Sequence, residues 1–294
     1  MITLRFKRLL VPVDFSITSK KAIIHAAALA RKEEGSLILL HVASPVSTGS
    51  FFGVDLQAEE ETSEIRKKLK KLSDEVSSKY KVPVQGALIS GRTVSAIASA
   101  AERYCADMIV MGTNGYESES SLFSGSISTR VIGKTSLPVL TIRADSTKDS
   151  FSKILLPISL SSHSRQKVNA AIKLASLFGA SVHMTGLLPK GAEEDLFKME
   201  IIQKQVREMA ESRNIPFTYG IHFTDSPVSK TLAQARRLRA ELIISMTDED
   251  VSDTWFSSEA FDRELVNESP FPILSIKPEI HDNDPEMPSM AGIW

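Results

Sequence analysis

Cysteine, aromatic rings and net charge are all scarce in this chain. One of its 294 residues is cysteine, Cys105. No disulfide can form within the chain, and a reducing cytoplasm is the simplest setting. Cys105 lies in an apolar helical segment and reads as a buried, unreactive thiol. The formal charge is −1, so the basic face needed for non-specific nucleic-acid binding is missing. No run of about 18 apolar residues is present, so no membrane span is expected. The opening residues MITLRFKRLLVPVDFS lack the apolar stretch and cleavage site of a signal peptide. The six histidines have no metal-ligand spacing, and no Ser/His/Asp constellation can be assembled. No G-x-G-x-x-G follows an apolar run. The tripeptide GKT at 133–135 is not a phosphate loop, because the glycine required five positions earlier is Ser128. It falls at a helix end, where capping explains it.

What remains is an ordinary globular composition, 42% hydrophobic and 24% charged, long enough for one or two domains. Short apolar runs at 9–13, 37–42, 82–89, 108–111 and 139–142 read as buried strands. Helical stretches separate them. The first of these carries Ala22, Ile23, Ala26, Ala27 and Ala30 at helical spacing and ends at Gly35. The second, 59–80, has the stripe Ile65, Leu69, Leu72 and Val76. The third covers 94–105, and a short fourth starts near Ser128. The loop at 43–58 contains Phe51 and Phe52, read either as ordinary loop packing or as a lid. Such β-α alternation predicts a parallel sheet with right-handed crossovers. Ligands in such sheets bind beyond the carboxyl ends of the strands, where the strand order reverses. A reversal between the first and fourth strands would bring DFS (14–16) face to face with GTNG (112–115).

The stretch 108–142 is organised for an anion. An apolar run enters a loop with Gly112 and Gly115, and nine residues later come Gly125, Ser126 and Ser128 at the start of a helix. Glycines allow close backbone approach to phosphate, and a helix N-terminus adds unpaired donors and partial positive charge. Glycines of this kind also serve as plain turn punctuation in α/β chains.

The chain repeats itself. RLLVPVDFS at 8–16 matches KILLPISLS at 153–161, offset 145. ADMIVMGT matches AELIISMT at 240–247, and SLPVLTIR matches PFPILSIK at 270–277, both offset 134. Two copies of one domain are expected, 1–145 and 151–278, followed by an irregular acidic tail at 279–294 whose terminal Trp294 suggests docking on a neighbouring surface. The first copy's roughly eleven extra residues are expected in the loop bearing Phe51 and Phe52. The copies differ chemically: Asp14 aligns with Ser159, Gly112 with Met246, Gly115 with Glu249, Gly125 with Glu259 and Ser126 with Ala260. Two glycines have become carboxylates, which repel phosphate, so the second copy should not hold a nucleotide in the same way.

The pattern G-x-x-G, nine residues, G-S, then a helix and PVL resembles the nucleotide-binding motif of the universal stress protein family, and both halves resemble that fold. The resemblance implies two tandem doubly wound α/β domains, each a five-stranded parallel sheet of order 3-2-1-4-5 flanked by about four helices. It implies an adenine-nucleotide site in the first domain for ATP, with AMP or another adenine nucleotide as the alternative and magnesium travelling with it. Carried over by position, adenine lies near Pro12, Asp14, Val42 and Met111. Ribose and phosphates lie against Gly112, Asn114, Gly115, Gly125, Ser126, Ile127 and Ser128. Asp14 reads equally as a nucleotide or metal-water contact and as the cap of the following helix. Glu117 and Glu119 depart from the basic character common in the family. The implied function is a cytoplasmic stress-response or signalling protein, homodimeric, with an unidentified protein partner. It is not an enzyme, slow ATP hydrolysis aside, because no strong general base or phosphate-side lysine is evident. The competing reading is a nucleotide-free interaction scaffold acting through oligomerisation. The last strand of each half is a sheet edge able to pair within the chain.

Overall fold

The structure, a computed structural model of the chain, describes residues 5–43, 56–113, 127–143, 150–161, 163–247 and 258–278. The first half runs β1 (Arg8–Pro12), α1 (Ile17–Lys32), β2 (Ser36–Ala43), α2 (Leu56–Tyr80), β3 (Val84–Ser90), α3 (Thr93–Arg103), β4 (Met108–Thr113), α4 (Ile127–Lys134) and β5 (Val139–Arg143). The second half runs β6 (Lys153–Ile158), α5 (Lys167–Phe178), β7 (Ser181–Leu188), α6 (Leu196–Glu211), β8 (Phe217–Phe223), α7 (Pro227–Leu238), β9 (Leu242–Met246), α8 (Ser258–Glu268) and β10 (Ile273–Ile276). The central strands are almost uninterrupted apolar runs, as strands covered on both faces must be. Local signals set the helix ends. Ser16 caps α1 by accepting the Ser19 N–H at 3.2 Å, and Arg31 and Lys32 lie in its last turn. α5 ends on Gly179 with φ 66°, and α7 opens on Pro227.

All ten strands form one sheet, ordered β3-β2-β1-β4-β5-β10-β9-β6-β7-β8. Each half has the expected 3-2-1-4-5 order with parallel neighbours. The halves meet where β5 and β10 pair antiparallel, Thr141 opposite Ile273 and Val139 opposite Ser275. The two edge strands therefore satisfy each other inside the chain. Thr141 Oγ1 donates to the Ile273 carbonyl at 3.3 Å across this seam. Two cores sandwich the sheet, and each contains residues of both halves. One lies under α1, α2, α5 and α6, with Ala26, Leu69, Ala171 and Met199. The other lies under α3, α4, α7 and α8, with Ile97, Val131, Leu232 and Leu265. Phe151 joins the halves on the first face. Its ring stacks on His25 at 5.4 Å and meets Phe178 edge-on at 5.4 Å, beside a Lys173–Glu33 ion pair of 3.1 Å. Among the described residues no helix is long and apolar enough to cross a membrane.

Several local expectations are corrected. Cys105 is exposed, not buried, because α3 stops at Arg103 and Cys105 turns away with φ 49°. After α1 the left-handed residue is Glu34 (φ 51°), not Gly35. Gly35 is glycine because a Cβ there would stand 2.6 Å from the Lys7 carbonyl. Much of the first half's extra length is helix rather than loop, since α2 has 25 residues and α6 has 16. Phe51, Phe52, Glu117, Glu119, Glu249 and Trp294 lie outside the described residues.

Candidate functional site

β1 sits between β2 and β4, so the chain leaves the carboxyl ends of β1 and β4 side by side, at the reversal of strand order. Pro12 ends β1 opposite Leu40. Met111, two residues beyond the Leu10–Ile109 pair, lies opposite Thr141. Val42 is half-buried against the core under α3 and α4. Ile127 and Ser128 open α4 at the same end. Ser128 is buried and donates to Thr113 Oγ1 at 3.1 Å, fastening the start of α4 to the end of β4. Ile127 is 49% exposed beside it. Thus Pro12, Asp14, Val42, Met111, Gly112, Ile127 and Ser128 gather at one end of the first half's sheet. Asn114, Gly115, Gly125 and Ser126 lie outside the described residues.

Two of these residues have duties different from those read in the sequence. Asp14 does not cap α1, since Ser16 does. Asp14 Oδ1 instead accepts the Ser16 backbone N–H at 3.0 Å and shapes the turn before the helix. Burial raises the Asp14 pKa, but hydrogen bonds from Ser16 and Ser19 outweigh it and hold the carboxyl below its ordinary value. Gly112 is still within the ladder, opposite Ile142. Its missing side chain makes room for α1, because a Cβ would lie 2.8 Å from the Thr18 carbonyl carbon and 2.9 Å from Thr18 Cβ. The glycine therefore lets the first turn of α1 settle on β4. Sequence reasoning passed over the hydroxyls this brings to the crevice. Ser16 Oγ lies 3.4 Å from both Thr18 Oγ1 and Ser19 Oγ. Their signal was the spacing Ser16-x-x-Ser19 directly after DF. The loop is braced from β2, where His41 Nδ1 lies 2.7 Å from the Val13 carbonyl and the His41 ring packs on Phe15 at 5.1 Å.

The second half has the same framework with different contents. Met246, at the position of Gly112, is buried. Its side chain joins the core under α5 and α6, and the first turn is a separate 3-10 segment, His163–Arg165, before α5 starts at Lys167. Asp262, at the position of Ser128, is fully enclosed and accepts from Ser275 Oγ at 2.9 Å. Burial raises its pKa to about 6, against the hydroxyls of Ser245 and Ser275 and the charge of Lys167. Lys167 is itself only 2% exposed. Neither residue was singled out from the sequence. Both stand on apolar stripes, Lys167 with Ala171 and Ala175, Asp262 with Leu265 and Val266, and a charge in such a stripe was the available signal. Among the described residues, no group of three or more His, Cys, Asp or Glu side chains is placed to hold a metal ion.

Fold and site together define a tandem doubly wound α/β protein whose two halves share a framework and differ in the residues at the reversal of strand order. Comparison with known proteins narrows this class. The universal stress protein family model matches residues 5–143. A universal stress protein of Methanocaldococcus jannaschii is 30% identical over 144 residues, 47% of this chain and 82% of that protein. One from Thermus aquaticus is 35% identical over 142 residues, 47% of this chain and 99% of that protein. The crystal structure of a universal stress protein from Archaeoglobus fulgidus superposes with a TM-score of 0.73 at 19% identity, covering 94% of this chain and 98% of that one. It shares the fold across both halves. The chain belongs to the universal stress protein family.

Proposed function

We propose that the first half binds one adenine nucleotide and that this occupancy is the chain's signal in a stress response. ATP is the proposed ligand, with AMP or another adenine nucleotide as the alternative and magnesium entering as the counter-ion of the phosphates. The observation that carries this reading is the junction of β1 and β4, where Asp14, Gly112 and Ser128 gather at the point of strand reversal. Adenine would rest on Pro12, Val42 and Met111. Asn114, Gly115, Gly125 and Ser126 would supply backbone and hydroxyl donors to ribose and phosphates. The protein acts by binding rather than by turnover, in the cytoplasm, as a homodimer with a protein partner. The alternative, a nucleotide-free scaffold assembling through the last strand of each half, has those edges already consumed by the β5–β10 pair. A homodimer would therefore need another surface.

The test is to denature the purified protein, identify any released small molecule by mass spectrometry, and titrate the emptied protein with ATP and AMP by calorimetry. One adenine nucleotide per chain, lost on Gly115→Trp, is the expected result. Two per chain would refute the assignment of the second half as nucleotide-free. No uptake would refute the nucleotide reading.

A further inference from the structure

The first half has a cleft that the nucleotide crevice does not use. It lies at the opposite edge of the sheet, where β1, β2 and β3 begin, and its volume is about 470 Å³. Ile38, Val84 and Gln85 line it from β2 and β3, Arg8 from the start of β1, and Arg103 and Tyr104 from the end of α3. Both arginines are exposed, and among the described residues neither forms an ion pair. Arg8 Nη1 donates to the Tyr104 carbonyl at 3.0 Å, which leaves the rest of its five-donor fork open to the cleft. Asp107 does not neutralise it, because Asp107 Oδ2 accepts the main-chain N–H groups of Lys7 and Arg8 at 3.1 and 2.8 Å. In the second half Lys153, at the position of Arg8, donates to the Leu238 carbonyl at 3.3 Å, so capping this helix end is common to both halves. Arg237, at the position of Arg103, is tied through Nε and Nη2 to Gln234 Oε1, at 2.9 and 2.7 Å. The first half has Ala100 where the second has Gln234, so Arg103 lacks that partner. Two guanidinium groups on one cleft suit carboxylates, which such forks bind in pairs.

The chain carries a matching segment. β10 runs antiparallel to β5, so its carboxyl end leaves the sheet at the edge where β1, β2 and β3 begin. Lys277 follows, and its Nζ donates to the Gly133 carbonyl at 3.1 Å, at the end of α4. This is the sheet face that α3 and α4 cover, the face of the cleft. Residues 279–286 read EIHDNDPE, with four carboxylates and no Lys or Arg. Asp282, Asp284 and Glu286 alternate, the spacing that sets side chains on one side of an extended chain. From β10 to β2 is four strand spacings, about 19 Å. Asp284, six residues past Pro278, reaches about 20 Å when the chain is extended.

We propose that the cleft at the end of α3 is the docking site of the chain's own acidic segment 279–286, with Asp282, Asp284 and Glu286 set against Arg8 and Arg103. Single exposed ion pairs are weak. The segment is tethered to the same molecule, however, which holds it at an effective concentration of millimolar order, and both guanidinium groups act on it together. Docking ties the end of the second half to the first half, across the β5–β10 seam. The site lies at the far edge of the sheet from the nucleotide crevice and does not depend on its assignment.

Cys105, the sole cysteine, is exposed and adjoins Tyr104, so it accepts a nitroxide spin label without any substitution. The experiment compares 1H–15N spectra of the full-length protein with the label oxidised and reduced. Amides of 281–286 should broaden more than those of 290–293, equally at every protein concentration, and about 0.5 M NaCl should remove most of the effect. Arg103→Gln should lower the docked-to-free ratio roughly fivefold, as loss of an exposed ion pair does at the upper end of its range. Asp282→Asn with Asp284→Asn should do the same, and combining these with Arg103→Gln should add little, because both sides remove one contact. Broadening of 281–286 no greater than that of 290–293, broadening unchanged by Arg103→Gln, or full additivity of the two sets would each overturn the proposal. Broadening passed from a spin-labelled chain to a separate 15N-labelled chain in a mixture would overturn it too, by assigning the cleft to the segment of a second copy.

Discussion

Gly112→Ala is a sharp test of how the first-half crevice is built. The substitution adds one methyl group, and the backbone conformation accepts any L-residue, since Gly112 is not among the positive-φ glycines. The methyl carbon would stand 2.8 Å from the Thr18 carbonyl carbon, 2.9 Å from Thr18 Cβ and 3.0 Å from its oxygen. Favourable carbon contacts lie at about 3.5–4.0 Å. Two of the three atoms are backbone within the first turn of α1, so no rotamer change relieves them. Either α1 moves off β4 or the strand bends. Overpacking of this kind costs about 2–3 kcal/mol at the upper end of its usual range. Reduced freedom of the unfolded chain offsets about 0.4–1 kcal/mol, leaving a net loss of about 1–2.6 kcal/mol. At about 2–4 °C per kcal/mol for chains approaching this size, calorimetry should record a Tm lower by several degrees. Urea titration should show a lower midpoint with an unchanged slope. Amide exchange should quicken in the first turn of α1, and nucleotide affinity should fall with it. A midpoint equal to wild type, with exchange in 17–20 unchanged, would refute the argument that this glycine exists to seat the helix.

Gly133 gives the opposite sign, because nothing lies within 4 Å of its added Cβ and it lies in the last turn of α4 without a positive φ; Gly133→Ala should stabilise by up to about 0.5 kcal/mol in the same titration. Phe151→Ala should cost about 3–5 kcal/mol, and because its ring touches both halves, amide exchange should quicken in the strands of both halves rather than of one. The pH dependence has two opposed contributions. Asp262 has a folded pKa of about 6 against an ordinary 3.8, so the native state holds its proton more tightly and stability should fall by about 3 kcal/mol as pH rises through that window. His183, lowered from 6.5 to about 4, does the reverse: its contribution is complete above pH 6.5 and is lost as pH falls towards 4. Difference curves measured by urea titration between pH 4 and 7 should therefore slope in opposite directions for Asp262→Asn and His183→Gln; a slope of the wrong sign for either variant would refute that assignment.

The strand order was legible because its causes are local and repeated. Apolar runs of strand length alternating with helical stripes admit few topologies once crossovers are right-handed, and the matches at offsets 145 and 134 supplied a second reading of each element. The closure of β5 on β10 was legible for a related reason, since the final strand of an open sheet has an unpaired edge and two such strands lay on one chain. The functions of single residues were harder to read, because they depend on what arrives from elsewhere. Gly112 reads as a phosphate-loop glycine when only its neighbours in sequence are considered, and its contact with Thr18 exists only after α1 folds back onto β4. Asp14 reads as a cap by position, yet Ser16 takes that duty because the chain turns through Phe15 at φ 65° before the helix begins.

The divergence of the halves follows the same logic. Where the first half has Gly112 beneath the first turn of α1, the second has the buried Met246, and α5 starts only at Lys167, five residues later than α1 by the offset of 145. Lys167 and Asp262 then become tolerable inside, since each offsets part of the other's desolvation cost where an incoming ligand would otherwise have to. The second half is thus free of the geometric demands of the nucleotide crevice. Among the described residues its buried side-chain atoms without partners are Ser159 Oγ, just past β6, Ser245 Oγ on β9, and His183 Nε2, Thr185 Oγ1 and His222 Nε2 on β7 and β8. A half that had merely decayed would be expected to lose polar groups from its interior, because unpaired ones are costly. This one has replaced Ile38, Leu40 and Ile89 of its sister with His183, Thr185 and His222.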